Sequence, residues 1–361
     1  LYRFYLSQFW KGEIFVKQGK SLKSLLAELQ RQKNNSKDFI INTQSLELHT
    51  DKRGNSKLHL LENGKVYKFN VNENTHQQIS SRLNIPYSYY QKLQTDSPAL
   101  LDNNVNTFFK REPEKRLIRI LDGTVRAFLS NSYHFIDNLD LVNIIIPILK
   151  DMKVNVVSAD ITPNHLYLKA VNKKIQAEIC NGDIIQAGFI ISNSEVGLGS
   201  LKIEPLILCA NNNNAFIYNQ AVQSIRHRGQ KLDSISTNIN QISADKISNM
   251  IHSSIDQEAF NNIIKQLQST TNVSIYNTIQ ALNWLNQFTI TQREKSDISQ
   301  QFFINSDFTL YGLLNAVSAS TKDSKSYERA TELERIAGEM ISLPFSQNIV
   351  AIQQFNSKKS A

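Results

Sequence analysis

Apolar and β-branched residues run on both sides of Asp122-Gly123 in the stretch EKRLIRILDGTVRAFLSNSYHFIDN, residues 114–138. A two-residue turn of the primed type needs positive φ at its centre, and Asp-Gly supplies it, so the pattern predicts a β-hairpin. With those two residues as the loop, the register follows. Leu121 faces Thr124, Ile120 faces Val125, Arg119 faces Arg126, Ile118 faces Ala127 and Leu117 faces Phe128. Side chains alternate between faces. One face then carries Ile118, Ile120, Val125, Ala127 and Leu129, a core face. The other carries Leu117, Arg119, Leu121, Thr124, Arg126 and Phe128.

The same patterning organises the rest of the chain. Ser21 can cap a helix whose stripe is Leu22, Leu25, Leu26 and Leu29. Short strands follow around 39–41 and 46–49. Asn63-Gly64 closes a second hairpin, with Tyr67, Phe69 and Val71 alternating on the outgoing strand. Helical spacing over 73–83 stops before Pro86, and a further amphipathic helix carries Leu100, Leu101, Val105, Phe108 and Phe109. After the central hairpin, Asp137 can cap an almost wholly apolar helix over 138–150, kinked or ended at Pro147. Strand-like runs then cover 153–161, 165–171, 175–180, 183–192 and 200–210. From 242 onward the pattern is helical, at 244–251, 256–267, 275–286, 307–319 and 327–340. Mixed charge in Thr331-Glu332-Leu333-Glu334-Arg335 predicts a solvent-facing stripe.

These elements predict an α+β fold: a curved antiparallel sheet packed on a buried helix, with a C-terminal helical subdomain. The expected regions are an N-terminal α+β part at 1–109, a central hairpin-helix-antiparallel sheet core at 110–235, and a helical part at 236–361.

Composition narrows the function classes. The chain has 361 residues, 41% of them hydrophobic, enough for a substantial core. No apolar run reaches the length of a membrane span. The start, LYRFYLSQFWKGEIF, is aromatic, carries no initiator Met and lacks a small-residue cleavage site. Cys180 and Cys209, with no CxxC spacing, argue against a disulfide framework and a structural zinc site. A cytoplasmic protein is the expectation. The net charge of +8 suits a polyanionic partner, although Lys-, Asn- and Ile-rich usage also follows from genomic base composition.

The charge becomes specific at the hairpin. Arg119 opposite Arg126 is unfavourable in isolation, by about 0.2–1 kcal/mol. Two remedies are open: a nearby carboxylate or plain solvation, or a bound phosphate gripped by the guanidinium forks. Phe128 beside them could offer a surface to a base. Lys115 and Arg116, after Lys110 and Arg111, form a basic approach. Arg226, Arg228 and Lys231 form a second cluster, which reads equally well as a phosphate track or as a solvated helix end.

No reaction is legible. Walker-type GxxxxGK[ST], HExxH, GxSxG and EF-hand patterns are absent from the sequence. The seven histidines do not fall at metal spacing; His134 lacks an identifiable nucleophile, and His227 lies between two arginines. Glu195 and Glu204 offer oxygen ligands to a divalent cation, but two isolated carboxylates make a weak set. Neither a cofactor nor a metal is expected.

RILDGTVRAFLSNSYHFIDNLDLV resembles the signature of the phage/plasmid-like proteins, catalogued as domain of unknown function nine hundred thirty-two. The residues that carry the likeness are Arg119, Asp122, Gly123, Arg126, Ala127, Ser130, Tyr133, Asp137 and Asn138. LNIPYSYYQKL, ISNSEVGLGSLKIEPLILCANN and LYGLLNAVSASTKDSKSYERATELERIAG are similar to further segments of that family, so the likeness spans roughly residues 73 to 340. The chain departs from the pattern at Asn212, where the family has Gly. The resemblance implies DNA-related work on a mobile element and brings no catalytic residues. The order of hairpin, helix and antiparallel strands also looks like the ring-forming single-strand annealing proteins, a fold-level analogy. The expectation is therefore a non-enzymatic, homo-oligomeric protein that binds nucleic acid, single-stranded DNA favoured, through Arg119, Arg126, Lys115, Arg116, Phe128, Arg226, Arg228 and Lys231. The alternative is a structural or protein-interaction module of phage or plasmid origin.

Overall fold

The structure, a computed structural model, describes residues 19–133, 135–180, 182–218, 222–225 and 244–343. The fold is α+β, with two sheets and a C-terminal helical region.

Helix α1, Leu22–Asn35, starts where the side chain of Ser21 accepts the Ser24 N–H, and buries Leu22, Leu25 and Leu29. The first sheet follows. Its strands are β1 (Ser36–Asn42), β2 (Leu46–Thr50), β3 (Ser56–Glu62), β4 (Lys65–Val71), β5 (Lys115–Leu121) and β6 (Thr124–Ser130), in the order β1-β5-β6-β4-β3-β2. All pairs are antiparallel except β4 with β6. Helices α2 (Glu73–Arg82), α3 (Tyr87–Asp96) and α4 (Pro98–Arg111) cover one face. Its core includes Phe39, Leu48, Leu58, Tyr90, Val105, Phe109, Ile118, Ile120 and Phe128.

The second sheet is antiparallel throughout. Its strands are β7 (Asn155–Ile161), β8 (Leu166–Glu178), β9 (Ile184–Asn193), β10 (Leu201–Cys209) and β11 (Ala215–Ile217), in the order β11-β10-β9-β8-β7, with β12 (Gln223–Ile225) also on β10. On one face lies α5, Asn138–Asp151, capped by Asp137 as the sequence predicts and carrying Pro147 inside it. Leu141, Val142, Ile145 and Leu149 of α5 meet Leu166, Leu168, Phe189, Ile191 and Ile203 of the sheet. Helix α1 and α6 (Ala244–Ser254) share that core. Helices α7 (Gln257–Thr271), α8 (Thr278–Trp284), α9 (Gln292–Asn305) and α10 (Leu310–Ala319) share a further core with Ile185, Ala187, Ile207 and Cys209, which alternate onto the same face. Helix α11 (Tyr327–Ser342) covers the other face, with Tyr327 against Tyr167, Ile190, Leu206 and Leu208. The covering on both faces explains the unbroken apolar runs in these strands.

The boundary expected at 109/110 does not separate packing units. The β5–β6 hairpin completes the first sheet by pairing with β1 and β4, and does not join the second. Helix α1 packs in the core of the second sheet, while β1, directly after it, belongs to the first. The strand-like runs at 165–171 and 175–180 are one strand, β8, with an irregularity between Asn172 and Gln176. The stripe 331–335 is not solvent-facing: Thr331 and Glu334 are buried against the second sheet.

The core of the first sheet contains a titratable group. His76 is 3% exposed, its Nδ1 pairs with the Tyr90 hydroxyl at 2.9 Å, and burial pushes its pKa down from 6.5 to about 4, with Glu73 opposing weakly. A depressed folded-state value means stability that is complete above pH 6.5 and is lost as the pH falls toward 4. Urea unfolding at pH 7 and pH 5 should show a loss of about 2 kcal/mol from this group. His76→Gln should remove that part of the pH dependence; an unchanged dependence in the variant would contradict the assignment.

Candidate functional site

The turn of the hairpin forms as the residue types require: Asp122 has φ 49° and Gly123 φ 75°. Helix α1 holds it, since Arg31 Nη1 and Asn35 Nδ2 donate to Asp122 Oδ1 at 2.9 and 2.7 Å. The predicted pairs Ile120–Val125 and Leu121–Thr124 are present. Beyond them a β-bulge shifts the register. Arg119 pairs with Ala127, Ile118 with Phe128 and Leu117 with Leu129, leaving Arg126 as the extra residue. Phe128 is thereby moved to the core face, and Ala127 and Leu129 to the other.

Helix α2 stabilises the bulge with side chains that replace missing ladder bonds. Thr75 Oγ1 donates to the Val125 carbonyl at 2.8 Å and Asn74 Nδ2 to the Arg126 carbonyl at 2.9 Å. Gln78 Oε1 accepts from the Phe128 N–H at 2.6 Å. Such groups, buried without partners, would cost about 1–3 kcal/mol each.

Arg119 and Arg126 do share a face, but that face is not open. Asn193, Ser194, Glu195 and Val196, at the end of β9, lie over it and are all buried. Arg119 is 2% exposed. Its Nε lies 3.2 Å from both oxygens of Asp38, its direct cross-strand partner on β1. Its Nη1 donates to the Glu195 carbonyl at 2.9 Å, and its guanidinium stacks 3.3 Å from the Phe135 ring centre. Arg126 Nη2 donates to Glu195 Oε2 at 2.7 Å. Burial lowers the Arg126 pKa and the carboxylate of Glu195 opposes that. Glu195 Oε1 also accepts the Asn138 N–H at the start of α5, at 2.5 Å. One carboxylate therefore joins the hairpin to the helix under the second sheet. Gly197, two residues on, has φ 82°, which a side chain would strain.

The expectation of an outward pair of arginines awaiting phosphate is corrected accordingly. The remedy the molecule uses is the carboxylate. Phe128 is 3% exposed and stacks on Phe109 at 5.7 Å between ring centres, so it presents no surface to a base. Arg116 is buried too, bonded to Glu114 at 2.7 Å. Lys115 is exposed at the edge of β5. Arg226, Arg228 and Lys231, like His134 and His227, lie outside the described residues. Glu204 faces inward and holds Arg335 of α11 at 2.7 Å. Beside it Lys169 and Glu334 form a fully buried ion pair, and Ser158 meets the Tyr327 hydroxyl at 2.7 Å. Glu195 and Glu204 are thus committed to arginines. Among the described residues no three His, Cys, Asp or Glu side chains converge to hold a metal, and no helix is long and apolar enough to cross a membrane.

One open cationic surface among the described residues lies on the same sheet, on the outer side of β2, β3 and β4. Glu47, His59 and Lys68 make one cross-strand row, and His49, Lys57 and Asn70 make the next. Five of the six are exposed and His59 is half-buried. The imidazoles of His49 and His59 stack with centres 4.1 Å apart. Burial, His49, Lys68 and Lys57 lower the His59 pKa, with Glu47 opposing. Lys52 and Arg53, exposed in the β2–β3 turn, extend the surface. No sequence motif signals this face, because its lysines and histidines are scattered over residues 49–68 and meet only through strand pairing. No family model matches the chain, and no curated protein or solved structure matches it.

Glu195→Gln keeps an acceptor for Asn138 and removes the charge that balances the guanidinium groups. Urea unfolding should show a loss of about 3–5 kcal/mol, the usual cost of breaking a buried pair from one side. Combining it with Arg126→Met should cost less than the sum of the two. A loss below about 1 kcal/mol for Glu195→Gln would mean that the junction does not hold the sheets together.

Proposed function

We propose that the protein is a non-enzymatic nucleic-acid-binding protein, single-stranded DNA favoured, acting as a homo-oligomer and promoting strand annealing in the fuller form of this reading. The observation that supports it is the open three-stranded face bearing Lys57, Lys68 and the stacked His49–His59 pair. Lysines would neutralise phosphates, and the imidazoles offer flat surfaces on which unpaired bases can stack. The hairpin arginines take no part in binding under this reading; they hold the scaffold. The likeness of residues 73 to 340 to phage/plasmid-like proteins points the same way.

A second reading, a structural or protein-interaction module without nucleic-acid binding, has its own support. The hairpin cations are neutralised internally, and an apolar patch is exposed elsewhere, with Tyr276 82%, Ile304 63% and Phe303 50% accessible.

Fluorescence anisotropy with single- and double-stranded oligonucleotides over a salt series separates the two. Binding to single strands is expected to weaken steeply with salt. Lys57→Gln with Lys68→Gln should reduce the log–log slope by about 1–2, at roughly 0.7 for each phosphate no longer neutralised. No binding at low salt, or binding untouched by the double substitution, removes the proposed face. The absorbance ratio of the untreated purified protein gives an independent check on co-purifying nucleic acid.

A further inference from the structure

A polar cavity of about 230 Å³ opens between the β10–β11 turn and helices α9 and α10. Asp183, Asn214, Asp307 and Tyr311 line it, with Lys322 also on its wall. Asn214 is 3% exposed, and its Nδ2 donates to both the carbonyl and Oδ1 of Asn315, at 3.3 and 2.9 Å. Those two acceptors fix the amide orientation, because only the NH₂ group can donate to them. Its Oδ1 is then a buried acceptor with no hydrogen-bond partner. Tyr311 donates its hydroxyl proton to Asp183 Oδ2 at 3.2 Å. The cavity therefore offers one orphan acceptor, Asn214 Oδ1, and two carboxylates, Asp183 and Asp307. Each carboxylate accepts from a neutral hydroxyl, that of Tyr311 and that of Thr309, beside wall amides that can donate as well as accept. The neighbouring Cys180 thiol reports the same field, being pushed up by burial first and then by Asp183, Asp307 and Glu178.

The rim is apolar. Asn305 and Asp307 line the cavity, while Phe303, Ile304 and Phe308, interleaved with them in sequence, are 50, 63 and 41% exposed. The rings of Phe303 and Phe308 meet edge to face at 6.0 Å. Tyr276 adjoins them, since the Ile275 N–H donates to the Phe308 carbonyl. Contiguous exposed aromatic surface of this kind marks a contact site.

We propose that this cavity receives an arginine side chain from a partner protein, with apolar residues beside that arginine lying on Phe303, Ile304 and Phe308. A guanidinium group supplies five N–H donors and a positive charge to a site that offers acceptors and negative charge. A bare metal ion fits poorly: the cavity far exceeds an ion, and no three acidic or soft ligands among the described residues converge there. The volume is also below the ~300–1,000 Å³ of small-molecule sites, which suits one inserted side chain. The inference stands whether or not the sheet face binds nucleic acid.

Isothermal titration of the full chain tests it with three probes: a capped Gly-Phe-Leu-Arg-Leu-Phe-Gly peptide, the same peptide with Glu for Arg, and agmatine. The Arg peptide should bind at least tenfold more tightly than the Glu peptide and than agmatine. Asp183→Asn, on a half-buried wall position, should weaken the Arg peptide about tenfold. Phe303→Ser, at an exposed position, should weaken the peptide and leave agmatine unchanged. Lys322→Ala should tighten binding several-fold by removing a competing cation. Thermal melts of each variant confirm folding, and Asp307→Asn serves in place of Asp183→Asn should that variant fail to fold. Failure of the Arg peptide to bind at millimolar concentration overturns the proposal. So does equal affinity for both peptides, or for agmatine and the Arg peptide, or indifference to the carboxylate substitution.

Discussion

The carboxylate of Glu195 sits where three pieces of the molecule meet: the bulged hairpin of the first sheet, the end of β9 in the second, and the first turn of α5. A carboxylate out of water is costly, and so are two guanidinium groups. Each is tolerable here only because the others are present. Asp38 on β1 completes the balance, so the junction contains two cations and two anions within one closed contact. The bulge aims Arg126, α2 holds the bulge through Asn74, Thr75 and Gln78, and the segment 193–196 closes over the result.

The second sheet repeats the principle on its opposite face. Helix α11 presents Glu334 and Arg335 to Lys169 and Glu204, and Tyr327 to Ser158. Replacing such pairs by apolar residues is often neutral or stabilising, so their contribution is more to register than to net stability. A helix sliding along an apolar sheet loses little. A helix that must present Glu334 to Lys169 has one position. The two ionic contacts thus fix where the outer helices and the hairpin sit, and the apolar clusters supply the bulk of the driving force.

Much of this architecture is legible in the residues. Both Asn-Gly and Asp-Gly turns, the caps at Ser21 and Asp137, and the buried helix after the hairpin rest on local chemistry, and they appear where local chemistry puts them. What the residues hide depends on distant partners. The bulge at Arg126 is invisible to a register counted from the turn, because its missing backbone bonds are supplied by α2, some fifty residues earlier. Lys169 reads as one polar residue in a strand, and its partner lies 165 positions on. Helices α3 and α9 are hard to read for a different reason. Each buries two side chains within its span, Tyr90 and Leu93 in one and Ile298 and Phe302 in the other, too thin a stripe to stand out.

The strand β1 has a consequence for how the chain is made. It leaves α1 and pairs with β5, across residues that emerge from the ribosome some eighty positions later. Its Asp38 must wait for Arg119, and the guanidinium groups must wait longer still, until residue 195 has been synthesised. Through that interval a nascent chain displays two arginines not yet fully balanced beside a half-built sheet, a surface that invites transient ribosomal or chaperone contacts. Non-local pairing of this kind slows folding. The face of the hairpin can therefore close only once residues 193–196 have been made, however early the rest of the first sheet forms.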